Sequence, residues 1–176
     1  MDTTAVERSA VESSAWPLRV EHARDGDVAD IVALNNLFAP DGLTLHRSTA
    51  FVVSHLQDYQ VVRGPDGALL GQVALDEYSP SLVELVSLAV APDAQGHGLG
   101  QRLITAAESL ARARGYPELF AISLAEPLFL RMGFHESTIL RYPEKIARYR
   151  AISRSELSIG RKFCFAKSLT PTPTVG

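Results

Sequence analysis

Residues 82–90 read Leu-Val-Glu-Leu-Val-Ser-Leu-Ala-Val, an apolar run whose one ionisable side chain is Glu84. A strand with one wet face would alternate polar and apolar residues, so a nearly continuous run suits a central strand covered on both faces. Pro92 stops it, having no amide to donate. Gln95-Gly96-His97-Gly98-Leu99-Gly100 follow at once, and Leu99, Leu103, Ala106, Ala107 and Leu110 then recur at helical spacing. A buried strand that turns through glycines into a long helix constrains the whole chain. Other strands must flank it, and helices must cover both of its faces.

The remaining segments supply those parts. Residues 18–21 read as a short first strand. Asp25-Gly26-Asp27 offers an N-cap side chain and a turn, before Val28, Ile31, Leu34, Leu37 and Phe38 at helical spacing. Pro40-Asp41-Gly42 ends that helix, and Ser48 caps a second with Phe51, Val52 and Leu56 as its apolar positions. Residues 59–63 and 68–75 read as strands around the turn Gly64-Pro65-Asp66-Gly67, which makes a hairpin. Gly115 and Pro117 close the long helix, and residues 119–123 form the next strand. Pro127 opens a short helix through Met132, with Gly133 at its end; Phe134-His135-Glu136 is extended, and residues 162–167 are the last strand. This order predicts an α+β domain with a mixed sheet over residues 17–169, between a mobile leader (1–16) and a flexible proline-bearing tail (170–176).

The chain has 176 residues, 46% of them hydrophobic, which suits one domain with one core. A net charge of -3 disfavours a general nucleic-acid binder. The single cysteine, Cys164, lies between Phe163 and Phe165, a setting for a buried, inert thiol. It can form no internal disulfide and no metal cluster can be built around it, so no metal is expected. No apolar run is long enough to span a bilayer and the N-terminus lacks a signal-peptide core. A cytoplasmic setting without a membrane partner is the expectation.

The glycine segment has a chemistry of its own. Glycine lets backbone amides approach a ligand unobstructed, and the first amides of a helix have no internal partners. With the helix dipole these make a site for a diphosphate. The spacing Gly96, Gly98, Gly100 departs from Gly-x-Gly-x-x-Gly, and the Lys-Ser/Thr pair of a Walker loop is absent. The glycines alone fit equally a turn that merely starts a helix.

The flanking residues carry more. Residues 86–100 resemble the central motif of the GNAT acetyltransferase superfamily, whose signature Gln/Arg-x-x-Gly-x-Gly/Ala is met by Gln95, Gly98 and Gly100. Leu130-Arg131-Met132-Gly133-Phe134 resembles that family's later motif, and the likeness covers roughly residues 18–136. The resemblance implies the GNAT fold: a mixed, mostly antiparallel central sheet flanked by helices, with a splayed pair of parallel strands at the coenzyme site. It implies acetyl-CoA as co-substrate. Backbone amides of Gln95, Gly96, His97, Gly98, Leu99 and Gly100 would bind the pyrophosphate, with His97 a spacer or phosphate contact. The stretch Leu88, Ala89 and Val90, chiefly the backbone of Leu88 and Val90, would pair with the pantetheine arm like an added strand. Dimers are common in folds that resemble this one, so a homodimer is an expectation.

Acetyl transfer needs a neutral amine, hence a base. Glu84 is the first candidate, because apolar surroundings favour the protonated carboxyl; the alternative is a carboxylate at a solvated strand end. Many members of the superfamily carry a tyrosine where this chain has Phe129, which cannot donate a proton. Ser123 is the candidate substitute acid, the alternative being a plain strand-end hydroxyl; a thiol ordinarily ionises at about pH 8.5, so its thiolate can leave without an acid. The likeness is greatest to the acetyltransferase domain of N-acetylglutamate synthases. It is carried by Leu43-Thr44-Leu45-His46-Arg47-Ser48, by residues 119–123 with 128–134, and by Tyr142-Pro143-Glu144-Lys145-Ile146. That likeness implies Arg47 on a substrate carboxylate, Lys145 on a second one, and the α-amine of an amino acid such as glutamate as acceptor. The alternative for Arg47 and for Lys145 is an exposed, solvated charge. The chain lacks an amino-acid-kinase domain, its 123–127 connection is short, and residues 159–169 match no pattern of that group. Acetylation of another small amine or a protein N-terminus, and a catalytically silent coenzyme-binding sensor, are the alternatives.

Overall fold

A computed structural model describes residues 18–151 and 163–170. Its strands are β1 (Val20–His22), β2 (Tyr59–Arg63), β3 (Leu69–Ser79), β4 (Leu82–Val90), β5 (Glu118–Ser123), β6 (His135–Ser137) and β7 (Phe163–Ser168). The α-helices are α1 (Val28–Leu37), α2 (Thr49–Ser54), α3 (Leu99–Ala113), α4 (Glu126–Arg131) and α5 (Pro143–Ala151). One sheet holds the strands in the order β1-β2-β3-β4-β5-β7-β6. Every neighbouring pair is antiparallel except β4 and β5, which run parallel. A parallel pair needs a long crossover, and α3 supplies it. The mixed, mostly antiparallel sheet expected from the sequence is what forms.

Both faces of the sheet are covered, which explains the unbroken apolar run of β4. Val83 and Leu85 face the larger core, where Leu99, Leu103, Ile104, Ala107 and Ala111 of α3 pack with Val73, Leu75, Leu119 and Ala121. Val86, one step out of phase, joins Ile31 of α1, Val52 of α2, Tyr59, Val61 and Ala74 on the opposite face. The period of two is intact, but neither face is wet. Glu84 shares a face with Val86, and a third cluster of Phe120, Tyr142, Cys164 and Ala166 lies on β5, β7 and the segment before α5. The Cys164 thiol is unpaired and buried, and burial with the nearby Glu84 charge pushes its pKa up to about 11.

The helix ends follow local rules. α3 closes where the Tyr116 and Gly115 amides reach back to the carbonyls of Ala111 and Arg112, with Gly115 at φ +83°. Ser48 caps α2, its hydroxyl accepting from the Phe51 amide at 3.1 Å. The expected cap of α1 is different. Residues 25–27 form a 3-10 turn, and Asp27 caps nothing in the helix. Its carboxylate instead accepts from the Arg24 amide at 2.7 Å and from Arg63 of β2. A charged guanidinium is a stronger partner than a helix amide, and Arg63 is the one within reach.

Other boundaries also move. β1 begins at Val20 rather than residue 18, and β3 runs on to Ser79, past the expected end at 75, because Asp76, Glu77 and Ser79 keep pairing with β4. α5 was not foreseen from the sequence. The leader 1–16, the tail beyond residue 170 and position 162 of the last strand lie outside the described residues.

The Asp27–Arg63 pair gives a pH-dependent stability. Burial alone would raise the Asp27 pKa, but the hydrogen bonds from Arg63 and the Arg24 amide outweigh it and hold it below the ordinary value. The stabilisation is therefore complete above the unfolded-state value of about 3.9 and is lost as pH falls through the lower folded value. Asp27→Asn should cost about 1–3 kcal/mol at pH 7. The gap between variant and parent in urea melts should narrow below about pH 4.

Candidate active site

β4 and β5 pair only at Val83↔Leu119, Glu84↔Phe120 and Leu85↔Ala121. Beyond these three rungs the strands part, although β5 continues against β7 to Ser123↔Phe163. The cause lies on the other edge of β4. Gln72 pairs with Ala89 and Ala74 with Val86, so Ser87 and Leu88 together oppose Val73. This bulge bends and twists β4 away from its parallel neighbour. Ser87 takes φ +55°, the one left-handed non-glycine residue among those described. Its hydroxyl lies 3.1 Å from the Tyr59 hydroxyl, and both residues are buried. A polar pair in an apolar layer thus holds the strained residue.

The gap between the strands is a cleft of about 200 Å³, lined by Val86, Leu88, Val90, Ile122, Ser123, Phe129 and Gln95 among others. The glycine loop begins at Gln95, which lines this cleft. Gly96 and Gly98 have φ of +82° and +78°, and a Cβ on either would meet nothing within 4 Å. The backbone conformation, not lack of space, calls for glycine there. Gly98 starts the 15-residue α3 with no side-chain cap, so no side chain at that position takes up the first amides of the helix. Gln95 ties the loop to β4, its Nε2 donating to the Val90 carbonyl at 3.1 Å. Leu99 is buried and packs into the larger core, and His97 is exposed. Gly100 stands near Leu128 of α4.

The other end of the cleft is charged. A smaller pocket of about 40 Å³ is lined by Arg47, Glu84, Lys145 and Tyr149. It shares Leu43, Leu85, Val86, Ser87 and Ile122 with the cleft, so the two are contiguous. Glu84 is 3% exposed, and its Oε2 accepts from the Tyr78 hydroxyl at 2.6 Å and from Lys145 Nζ at 2.8 Å. Glu84 therefore has neither purely apolar neighbours nor a solvated strand end. Lys145, also 3% exposed, is not a surface charge. β3 places Asp76 directly across from Glu84, and Arg148 Nη1 meets the Asp76 carboxylate at 2.5 Å. Two carboxylates side by side on a buried face would repel. Lys145 and Arg148 stand one turn apart on α5 and neutralise both. Burial, reinforced by Glu84, pushes the Tyr78 and Tyr149 hydroxyls well above the usual phenol range, so both stay protonated.

The structure thus brings Arg47, Glu84 and Lys145 to one pocket. Ser123 lines the cleft but not that pocket, and its hydroxyl accepts from the Ala125 amide at 3.0 Å. Phe129 is a wall of the cleft, stacked 5.4 Å from Phe165 and edge-on to Phe134 at 5.1 Å. Tyr78, Asp76, Arg148 and Tyr149 were missed in the sequence. Lys145, Arg148 and Tyr149 do carry the i, i+3, i+4 spacing of one helix face, which was the available signal. Among the described residues no group of His, Cys, Asp and Glu could hold a metal ion, and no helix is long and apolar enough to cross a membrane.

Residues 31–134 match the acetyltransferase (GNAT) family. The chain belongs to that family. This GNAT enzyme is an acyltransferase, and its acetyl donor is acetyl-CoA. An uncharacterized N-acetyltransferase of Chlorobaculum tepidum is 32% identical over 129 residues, 73% of this chain and 83% of that protein. The amino-acid acetyltransferase of Neisseria meningitidis is 31% identical over 146 residues. That match covers 81% of this chain but 33% of the relative, so the GNAT chain spans about a third of its length. The N-acetylglutamate synthase of Neisseria gonorrhoeae, complexed with coenzyme A and N-acetyl-glutamate, superposes with a TM-score of 0.76 at 29% identity. It covers 88% of this chain and 35% of that one.

The Tyr59–Ser87 pair underlies the bulge, so removing one hydroxyl leaves the other buried and unpaired. Tyr59→Phe should cost about 1–3 kcal/mol in denaturant melts.

Proposed function

We propose that this GNAT enzyme acetylates the α-amine of an amino acid that carries a second carboxylate, with glutamate the best fit. The observation that carries the reading is the meeting of Arg47, Glu84 and Lys145 in one pocket that opens into the cleft. Arg47 has no carboxylate partner among the described residues, and Lys145 shares Glu84. The pocket therefore holds two cations and one anion. An amino-dicarboxylate brings the complementary set. One carboxylate goes to Arg47, whose fork suits it, and the other to Lys145. The names of relatives at about 30% identity support an amino acid as acceptor.

The chemistry assigns each group a task. Glu84 takes a proton from the acceptor's ammonium, directly or through water. In the free enzyme Lys145 sits on Glu84, and the second carboxylate offers Lys145 a better partner just as the amine arrives. A backbone amide of β4 beside the bulge stabilises the oxyanion formed when the neutral amine adds to the thioester carbonyl. The carbon–nitrogen bond forms, the carbon–sulfur bond breaks, and the second proton on the nitrogen passes through Ser123 or water to the departing thiolate. Phe129 cannot supply it. Amides of residues 95–100 hold the pyrophosphate, and the backbone of Leu88, Ala89 and Val90 pairs with the pantetheine arm. The same reading puts the enzyme in the cytoplasm, in keeping with its single, unpaired cysteine.

Thiol release from acetyl-CoA, measured against amino acids, polyamines and peptides, tests the acceptor. Turnover with glutamate is expected, and turnover only with other amines sinks the reading. Coenzyme binding with no turnover on any amine would favour a sensor. Glu84→Gln should lower kcat by about 10²–10⁴ with little change in the affinity for acetyl-CoA. Arg47→Ala should raise the glutamate KM by about 30-fold or more, and an unchanged KM removes Arg47 from the site.

A further inference from the structure

Arg47 lies on the segment between α1 and α2, which has no regular structure of its own to aim a side chain. The end of α1 provides the aim. The Asn36 side-chain amide donates from Nδ2 to the Arg47 carbonyl at 2.9 Å and accepts at Oδ1 from the Arg47 amide at 2.9 Å. It pairs with both backbone groups of one residue, as a neighbouring strand would. Asn35 Nδ2 donates to Asn36 Oδ1 at 3.0 Å and to the Leu45 carbonyl at 2.7 Å. Thr44 donates its hydroxyl to the Asn35 carbonyl at 2.5 Å. Residues 44–47 are therefore tied to one helix end through Asn35 and Asn36.

The guanidinium is held separately. Arg47 Cζ lies 4.2 Å from the centroid of the Phe51 ring, and Phe51 stacks on His55 at 4.0 Å with the planes 17° apart. Stacking on an aromatic face fixes the plane of a guanidinium. Arg47 Nε is buried and without a hydrogen-bond partner among the described residues. A donor left in this state suits an acceptor group that arrives with a ligand, and a carboxylate spanning Nε and one terminal nitrogen would use it.

We propose that Asn36 and Phe51 are positioning residues that set the carboxylate specificity of the acceptor pocket. Asn36 fixes the backbone of Arg47, and Phe51 fixes the plane of its guanidinium. The inference rests on the reading that Arg47 meets the acceptor carboxylate. An arginine already held in its binding geometry loses less freedom on binding than a free one, and the gain appears in acceptor affinity alone.

Steady-state kinetics of the full chain with glutamate and acetyl-CoA test this. Asn36→Ala and Phe51→Leu should each raise the glutamate KM about tenfold, with kcat and the acetyl-CoA KM within about twofold of the parent. Phe51→Tyr keeps the ring and should stay near the parent. Asn36→Asp keeps the acceptor but loses the donor, so its KM should fall between those of the parent and Asn36→Ala. Adding Asn36→Ala to Arg47→Ala should raise the KM no further, because Asn36 acts through Arg47. Equal rises in both substrates' KM values, or full additivity in the double variant, overturn the proposal. So does an unchanged glutamate KM in Asn36→Ala and Phe51→Leu when Arg47→Ala raises it. An unchanged KM in Arg47→Ala removes the reading beneath and the proposal with it.

Discussion

The three-rung parallel ladder between β4 and β5, and its abrupt end, is the constraint from which the rest of the site follows. A full ladder would leave no room for a ligand between the strands. No ladder would let the sheet come apart into β1–β4 and β5–β7–β6. The fold keeps enough pairing to hold the halves in register and gives up the remainder at the bulge. The same local twist opens the cleft, ends at the glycine loop, and leaves Glu84 on the last firmly paired stretch, where its position is well determined.

Placing Glu84 there has an electrostatic cost that the fold meets with α5. The buried Asp76 and Glu84 face each other across β3 and β4, and α5 docks over them through Lys145 and Arg148. α5 is thus held largely by ion pairs and by Lys145 and Arg148 over the Tyr78 ring rather than by an apolar stripe. Buried pairs of this type specify geometry more than they add stability. The docking that neutralises the carboxylates is also what brings Lys145 into the acceptor pocket, so electrostatic balance and site assembly are one event.

Much of this was legible in the residues. The unbroken run of β4, the glycine loop and the amphipathic α3 announced their structures because each follows a local rule of period, turn or cap. Arg47, Glu84 and Lys145 were picked out one by one, but the geometry that joins them was not. Tertiary partners decided those cases. Asp76 and Tyr78 hide the continuation of β3 because polar residues in a strand look solvated until Arg148 and Glu84 are seen beside them. Asp27 looked like a helix cap because Arg63 is far away in sequence. The environment of Glu84 was misjudged for the same reason, since its cation comes from a helix 61 positions later.

β7 lies between β5 and β6 although it follows both in the chain. During synthesis β5 must therefore wait as an open edge, with a row of unsatisfied backbone groups, until residues 163–168 are available. Phe165 arrives on that strand to stack against Phe129, so one wall of the cleft is finished only at this step. The first part of the chain can assemble the glycine loop and its helix well before the opposite wall exists. The cleft is thereby complete only once β7 has docked, and until then the edge of β5 is open to pairing with another strand.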